Sequence, residues 1–245
     1  MSGAALPPRK AVVTGAGSGI GAATARLLIR SGWQVACLDR NETAARAVAG
    51  DQPVFAVDVA DEAAVIRSVA AAHDTLGGLD ALATCAGIYD MTGFFECTAE
   101  TFRRVHDVNV VGTFLCIREA AKRMRSGGRI CTVGSVAGIR GGGLAGTVSY
   151  AASKGAVITM TKSAARELGP RGIAVNTVAP GMIETPFVTA PLANPDIRAR
   201  IEGMTSFGRL GQPEEIAEAI AWLLSPAASY FHGATLVADG GMVMY

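Results

Sequence analysis

Two patterns of hydrophobic spacing alternate along the whole chain. Short apolar runs, typical of buried strands, occupy 10–15, 33–39, 53–59, 79–87, 128–135, 173–180 and 234–240. Between them, apolar residues recur at helical spacing over 19–31, 41–49, 61–76, 102–125, 149–168 and 213–224. Gly32 and the Gly77-Gly78 pair end two of the helical stretches. Strict alternation of this kind predicts parallel strands with helices on both faces of the sheet.

Right-handed crossover connections leave few topologies for such a chain. We predict a single α/β domain over residues 1–245, built as a Rossmann-like doubly wound parallel sheet of about seven strands with helices on both faces. Segment 181–212 lacks clear periodicity and is too long for an ordinary connection. We therefore predict that this segment forms a lid over a substrate site.

Composition narrows the class of protein. Half of the residues are apolar and 18% are charged, which is typical of a compact globular enzyme. A formal net charge of +1 gives no electrostatic footprint for nucleic acid. No apolar run approaches the roughly 18 residues of a membrane span, and the N-terminus lacks a signal-peptide pattern. We expect neither nucleic acid nor membrane as a partner.

The cysteines and histidines indicate a reducing compartment, and their spacing predicts no metal site. The five cysteines are an odd number without CxxC spacing, and several lie in strand-like runs where a thiol acts as a small hydrophobe. The three histidines, His73, His106 and His232, are scattered and lack metal-ligand spacing. The chain is therefore expected in the cytoplasm, and no metal site is predicted.

A glycine-rich loop, TGAGSGIG at 14–21, follows the first strand and opens the first helix. Glycine lets backbone approach a phosphate, and a helix N-terminus offers free N–H groups. The spacing departs from GxGxxG because Ile20 occupies the sixth place. Glycine turns join strands to helices in many folds, so a purely structural role stays open. The position at the start of a βαβ unit favours a dinucleotide.

Asp39 closes the second strand and points to the choice of cofactor. A carboxylate there can accept hydrogen bonds from both hydroxyls of an adenosine ribose and would repel a 2′-phosphate. Two alternatives stay open: Asp39 can cap the helix that starts near Asn41, and Arg40 can hold a 2′-phosphate. With the carboxylate ahead of Arg40, we predict NAD rather than NADP.

Tyr150 and Lys154 lie one helical turn apart in an alanine-rich helix, so their side chains share a face. They can be a packed aromatic with a solvated neighbour or an acid/base pair. A lysine ammonium about 4 Å away can lower the pKa of a phenol by about three units at an effective dielectric near 20. Lys154 is thus expected to make Tyr150 a usable base.

With these motifs in order, the sequence resembles the short-chain dehydrogenase/reductase family over nearly the whole chain. Residues matching its cofactor-binding positions are Thr14, Gly15, Ser18, Gly19, Ile20, Gly21, Asp39, Asp58, Val59, Ala86, Gly87, Tyr150, Lys154, Pro180, Gly181, Ile183 and Thr185. Residues matching its catalytic positions are Asn109, Ser135, Tyr150 and Lys154. The resemblance implies that Asp58 contacts adenine and that the Pro180-Gly181 turn lies beneath the nicotinamide.

The resemblance also assigns roles in catalysis. It implies that Tyr150 exchanges the hydroxyl proton of the substrate and that Lys154 binds the nicotinamide ribose. Ser135 is expected to orient the substrate oxygen, so Ser135 and Tyr150 are the predicted substrate contacts. Asn109 is expected to hold a water that links Lys154 to solvent.

Two departures from the family pattern stand out. The family usually reads Asn-Asn-Ala-Gly after its fourth strand, where this chain reads Thr84-Cys85-Ala86-Gly87. The spacing between Ser135 and Tyr150 is also longer than is common, with the extra length at 139–147, so Ser149 stays open as a substitute.

The sequence therefore predicts an NAD-dependent oxidoreductase acting on a secondary alcohol or ketone. The alternatives are an NADPH-dependent 3-oxoacyl thioester reductase of the same fold and a dinucleotide-binding protein without turnover. The expected apolar walls of the substrate pocket are Ile88, Tyr89, Ile139, Leu144, Met182, Phe187, Met204 and Phe207, with Arg140 as a nearby charge. The resemblance implies a homotetramer or homodimer.

Overall fold

Seven parallel strands form one sheet in the computed structural model, which describes residues 9–142, 147–186, 188–189 and 193–244. The strands are β1 (Lys10–Thr14), β2 (Gln34–Asp39), β3 (Val54–Ala56), β4 (Ala81–Thr84), β5 (Arg129–Val133), β6 (Ala174–Pro180) and β7 (Thr235–Ala238). Their order across the sheet is β3-β2-β1-β4-β5-β6-β7, and every neighbouring pair is parallel. The predicted doubly wound sheet is confirmed.

Helices connect successive strands. They are α1 (Gly19–Arg30), α2 (Glu42–Ala49), α3 (Glu62–Leu76), α4 (Ala99–His106), α5 (Gly112–Arg123), α6 (Ala137–Arg140), α7 (Val148–Leu168), α8 (Pro195–Glu202) and α9 (Pro213–Leu224). A π-helical turn, Asp107–Val111, joins α4 to α5, and 3₁₀ turns follow α7 and α9 at Gly169–Arg171 and Pro226–Ala228. None of the helices within the described ranges is long and apolar enough to cross a bilayer.

The core lies on both faces of the sheet because successive strand residues point to opposite sides. Ala11 and Val13 of β1 pack in a cluster with residues of α1, α2 and α9. Val12 packs in a second cluster with residues of α3, α5 and α7. With both faces covered, the strands carry nearly continuous apolar runs, which is why their existence could be read from the sequence.

The strand order reverses direction between β1 and β4, whose last residues Thr14 and Thr84 are paired. In open α/β sheets, a crevice for ligands lies outside the carboxyl ends of the strands at such a switch point. The loops after β1, β2, β4, β5 and β6 all leave the sheet at this edge. The fold therefore brings the sequence-predicted site residues to one place.

Several boundaries differ from the prediction. The helix expected over 102–125 starts earlier, at Ala99, where the Thr98 hydroxyl accepts the amide of Thr101, and a π-turn interrupts it. The strands expected over 53–59 and 79–87 are shorter, Val54–Ala56 and Ala81–Thr84. The residues at their C-terminal ends, 57–59 and 85–87, leave the sheet and line the crevice instead.

The predicted lid segment, 181–212, is not purely irregular. It contains α8, which starts at Pro195 after the side chain of Asn194 caps it. Arg198 of α8 donates to Glu184 at 2.5 Å, and Gln212 donates to the other oxygen of that carboxylate at 2.8 Å. Residues 187 and 190–192 of the segment lie outside the described residues, and closure over a substrate stays a prediction.

Candidate active site

A cleft of about 320 Å³ lies at the switch point. Of the predicted site residues, it is lined by Gly15, Ser18, Gly19, Ile20, Gly21, Asp39, Asp58, Val59, Ala86, Gly87, Ser135, Tyr150, Lys154, Pro180, Gly181, Ile183 and Thr185. Asn109 lies behind the wall, where it is fully buried. The structure thus brings the glycine loop, the acidic residues and the tyrosine-lysine pair into one cavity.

The loop after β1 is shaped for close approach of a phosphate. Gly15 and Gly19 have φ angles of 65° and 51°, a region that favours glycine. A Cβ on Gly21 would overlap the carbonyl oxygen of Gly15, so helix and loop pack together only without a side chain there. The loop ends at the N-terminus of α1, whose unpaired amides and dipole favour an anion. This cradle fits the diphosphate of a dinucleotide.

Asp39 is held by backbone amides on both sides. Its Oδ2 accepts the amide of Gly17 at 2.8 Å, and its Oδ1 accepts the amide of Asn41 at 2.8 Å. The cap of α2 is Asn41 itself, whose side chain accepts the amide of Ala44 at 3.1 Å, so the alternative that Asp39 caps this helix is wrong. Each carboxylate oxygen retains a lone pair for a further donor.

The far end of the cleft carries the residues predicted for adenine. Asp58 and Val59 line it together with Leu38, Arg40 and Val57. The Oδ1 of Asp58 accepts the amide of Ala60 at 2.9 Å, which fixes the carboxylate beside the opening. Arg40 is exposed beside Asp39.

At the other end, Tyr150 and Lys154 project from the first turns of α7. Lys154 is buried, and its Nζ donates to the carbonyl of Val133 at 2.8 Å. The Nζ lies 5.7 Å from the ring centroid of Tyr150. Ser135, two residues after β5, lines the cleft together with Tyr150, and its hydroxyl accepts the amide of Ala137 at 3.0 Å. The hydroxyl, phenol and ammonium groups therefore converge beside the glycine loop.

Burial dominates the ionisation of this pair. Burial raises the pKa of Tyr150 to about 12, although the nearby Ser135 hydroxyl acts to lower it. Burial lowers the pKa of Lys154 to about 8. The expectation that Lys154 holds the pKa of Tyr150 below its ordinary value is thus wrong here, because the ring is desolvated and the ammonium donates to Val133 instead.

Asn109 sits in the π-turn and joins two parts of the site. Its side chain accepts the amide of Ile88 at 2.8 Å, and donates to the carbonyl of Ile88 and the hydroxyl of Ser153, each at 3.0 Å. The side-chain amide is therefore committed to protein partners. Its backbone carbonyl accepts the hydroxyl of Thr113 at 2.8 Å, and the predicted water between Asn109 and Lys154 stays a prediction.

The departure at Thr84-Cys85 removes side-chain hydrogen bonds and leaves the backbone in place. Among the described residues, the hydroxyl of Thr84 has no partner although it is buried. The Cys85 thiol lines the cleft, and burial raises its pKa to about 12. The amide of Ala86 donates to the hydroxyl of Thr14 at 3.1 Å, which anchors the strand end beside the glycine loop.

The loop after β6 completes the cleft. A Cβ on Gly181 would lie 2.8 Å from the Cα of Asp239, so glycine lets the turn pass close to β7. A parallel bridge pairs Ile183 with Gly211 through the Met182 carbonyl and the Glu184 amide. The amide of Ile183 therefore points to the opposite side of the bridge.

The structure distinguishes the two serines that the sequence left open. Ser149 is fully buried and donates to Asp90 at 2.7 Å, outside the cleft, so Ser135 is the serine that lines the cleft with Tyr150.

Of the expected walls, Ile88, Tyr89 and Met182 line the cleft. Other expected positions, Ile139, Arg140, Met204 and Phe207, are not part of its lining, and Leu144 and Phe187 lie outside the described residues. Sequence reasoning missed further lining residues, Val108, Gly134, Pro186 and Val188, which carry no motif.

Proteins of known activity resemble this chain over its full length. A family model described as enoyl-(acyl carrier protein) reductase matches residues 15–243. A cis-4-hydroxycyclohexanecarboxylate dehydrogenase from Sinomonas cyclohexanicum is 42% identical, with 98% of each chain covered. A 2,5-dichloro-2,5-cyclohexadiene-1,4-diol dehydrogenase from Sphingobium indicum is 38% identical over 96% of this chain and 97% of that protein. A 3-oxoacyl-(acyl-carrier-protein) reductase from Vibrio cholerae is 39% identical over 98% of this chain and 99% of that protein.

Solved structures show the same architecture. A dehydrogenase/reductase from Sinorhizobium meliloti superposes with a TM-score of 0.91 at 36% identity, covering 98% of this chain and 96% of that one. A short-chain dehydrogenase from Burkholderia cenocepacia in complex with NADP superposes with a TM-score of 0.87 at 33% identity, covering 96% of this chain and 97% of that one. The chain belongs to the short-chain dehydrogenase/reductase family, whose members bind a nicotinamide dinucleotide and are oxidoreductases acting on alcohol- or ketone-type substrates.

Proposed function

We propose that this protein is an NAD-dependent dehydrogenase of secondary alcohols, with Tyr150 as the group that exchanges the substrate proton. The observation that carries the proposal is the placement of Tyr150, Lys154 and Ser135 in the same cleft as the glycine loop and Asp39. When bound, the nicotinamide accepts or gives the hydride. Every other part of the reaction falls to side chains and backbone of this chain.

Ser135 and Tyr150 bind the oxygen of the substrate. The Ser135 hydroxyl and the Tyr150 phenol line the same cleft, and each can donate its one hydrogen to an incoming substrate oxygen, which stabilises charge that develops on it. In ketone reduction, Tyr150 donates its proton to that oxygen, and a pKa of about 12 keeps it protonated for this step. In alcohol oxidation, Tyr150 accepts the proton. The positive charge of the oxidised cofactor would favour the ionised form of Tyr150.

Asp39 selects NAD. Gly17 and Asn41 orient its carboxylate toward the cleft opening, where the free lone pairs can accept both ribose hydroxyls. A 2′-phosphate removes one of those donors and adds negative charge against the carboxylate. The neighbouring Arg40 and the NADP complex of the Burkholderia cenocepacia protein make NADP the competing choice. The second candidate function is accordingly an NADPH-dependent 3-oxoacyl thioester reductase, since the relative from Vibrio cholerae is named as a 3-oxoacyl-(acyl-carrier-protein) reductase.

The substrate end of the cleft favours a cyclic alcohol. Its walls beside Tyr150 are apolar or aromatic, with Ile88, Tyr89, Met182 and Val188 among the described residues. Two of the relatives named above are dehydrogenases of six-membered ring alcohols. We infer that a cyclohexanol-like ring packs against these walls while its hydroxyl meets Ser135 and Tyr150.

Absorbance at 340 nm tests this function. Purified protein is mixed with a panel of cyclohexanols, cyclohexanediols and a 3-oxoacyl thioester, each with both nicotinamide cofactors in the appropriate oxidation state. Formation of NADH from a ring alcohol supports the proposal. Consumption of NADPH with the thioester, and no turnover of ring alcohols, would establish the second candidate instead.

A further inference from the structure

Asp90 makes a dense set of contacts that none of the sequence motifs includes. It lies in the loop after β4, half-buried, and its carboxylate accepts four hydrogen bonds. Oδ1 accepts the amide and the hydroxyl of Thr92 at 3.3 and 2.7 Å. Oδ2 accepts the hydroxyls of Thr147 and Ser149 at 3.1 and 2.7 Å. The backbone carbonyl of Asp90 also accepts the Thr147 hydroxyl, at 2.7 Å.

These contacts hold the beginning of the helix that carries Tyr150. Thr147 occupies the cap position of α7 but makes no side-chain cap bond of its own, and Ser149 precedes Tyr150 directly. A carboxylate near a helix N-terminus is also favourable for the helix dipole. Asp90 thus anchors the first turn of α7 from outside the helix, at the end of the longer 139–147 segment.

A second path leads from Asp90 to the same phenol. Tyr89, the preceding residue, packs its ring edge-on against the ring of Tyr150, with centroids 5.0 Å apart and an interplanar angle of 76°. Asp90 is therefore connected to Tyr150 in two ways. It follows Tyr89, whose ring packs on Tyr150, and it is hydrogen-bonded to Ser149, which precedes Tyr150. Burial acts to raise the pKa of Asp90, but the hydrogen bonds from Thr92, Ser149 and Thr147 lower it overall.

We propose that Asp90 is a positioning residue for proton transfer by Tyr150: its carboxylate fixes the first turn of α7 and the Tyr89 ring against the phenol. This inference rests on the proposed function. Without the carboxylate, the buried Ser149 hydroxyl loses its acceptor, and both constraints on Tyr150 loosen together. The cofactor end of the cleft, built from the loops after β1 and β2, is untouched by that change.

The test compares Asp90→Ala with Asp80→Ala in steady-state kinetics, using NAD and the ring alcohol that the wild type oxidises fastest. Asp80 is a matched control because its carboxylate accepts the amide of Lys10 at 2.9 Å at the opposite edge of the sheet. We expect Asp90→Ala to lower kcat by about tenfold to a hundredfold, the range for a small misplacement of a reacting group. Its Kd for NAD should stay within about twofold of the wild-type value, whereas Asp80→Ala should affect only the melting temperature.

A double-mutant cycle with Ser149→Ala identifies the route. If Asp90 acts through Ser149, the two substitutions together cost less than the product of their separate effects on kcat. Unchanged kcat in Asp90→Ala, equal losses of kcat in Asp80→Ala, or fully multiplicative effects in the double mutant would overturn the proposal.

Should Asp90→Ala not fold, Ser149→Ala and Thr147→Val remove the same contacts from the helix side, and unchanged kcat in both would overturn the proposal. A wild type inactive on every ring alcohol defeats the proposed function itself, and Asp90's role with it.

Discussion

Replacing Asp39 with Asn should change the choice between NAD and NADP without displacing the glycine loop. The carboxylate is held by the amides of Gly17 and Asn41, each at 2.8 Å. Asn keeps one acceptor oxygen and the size of the side chain but removes the charge. Ala would instead leave both amides without their acceptor, so a loss of stability would be mixed with any effect on cofactor choice.

The size of the preference follows from two effects. A charge-assisted hydrogen bond from the ribose hydroxyl, lost with a 2′-phosphate, contributes about 1.5–3 kcal/mol. Repulsion between the carboxylate and a phosphate bearing nearly two charges at about 4 Å adds about 2 kcal/mol at the dielectric of water. Together these predict a wild-type preference for NAD of at least about 300-fold in kcat/KM.

The assay measures kcat/KM for NAD and NADP at 340 nm in the wild type and in Asp39→Asn. Removing the repulsion should shrink the ratio by about thirtyfold, because about 2 kcal/mol is lost and Arg40 becomes free to meet the phosphate. Melting temperatures of both proteins control for damage to the fold. A ratio that stays within about twofold of the wild-type value, or a wild type that prefers NADP, refutes this reasoning about Asp39.

Three further predictions concern Lys154 and the lid segment. Lys154→Met should weaken NAD binding and lower kcat together, because the ammonium faces the cleft beside Tyr150; unchanged NAD affinity in a titration would mean that Lys154 does not bind the ribose. In the cofactor-free protein, burial lowers the pKa of Lys154 from 10.5 to about 8. Between those pH values, Lys154 is protonated in the unfolded chain but largely deprotonated in the folded one. The free energy of unfolding of the wild type should therefore rise with pH relative to that of Lys154→Met. The gain should be at most about 3 kcal/mol, and urea unfolding of both proteins at pH 8 and 10.5 measures it. Hydrogen exchange over 193–207 should slow when cofactor and substrate are both present, and equal exchange with and without them would count against a lid.

Local patterns account for what the sequence predicted well. The strands were visible because both faces of the sheet are covered, so that Val12 and Val13 are both buried. The pairing of Tyr150 with Lys154 needs only a helix, since residues four apart share a face. The parallel topology then brings these residues to the glycine loop, because all the strands end at one edge.

Contacts between distant segments account for what the sequence missed. Asp90 and Ser149 lie 59 residues apart along the chain and are joined by one hydrogen bond, which no local pattern encodes. The π-turn that buries Asn109 breaks an otherwise regular helical pattern, so its position is visible only in three dimensions. The raised pKa of Tyr150 depends on how completely the folded chain desolvates its ring, a property of packing rather than of spacing.

The central claim is that Tyr150 exchanges the proton in an NAD-dependent oxidation of a ring alcohol. Its most direct test is the initial rate of NADH formation at 340 nm by the wild type and by Tyr150→Phe, with NAD binding measured on both. Phe keeps the half-buried ring and its edge contact with Tyr89 but lacks the hydroxyl. We predict that the rate falls at least about a thousandfold while the Kd for NAD stays nearly unchanged. A variant that binds NAD normally and retains about a tenth of the wild-type rate would contradict the account.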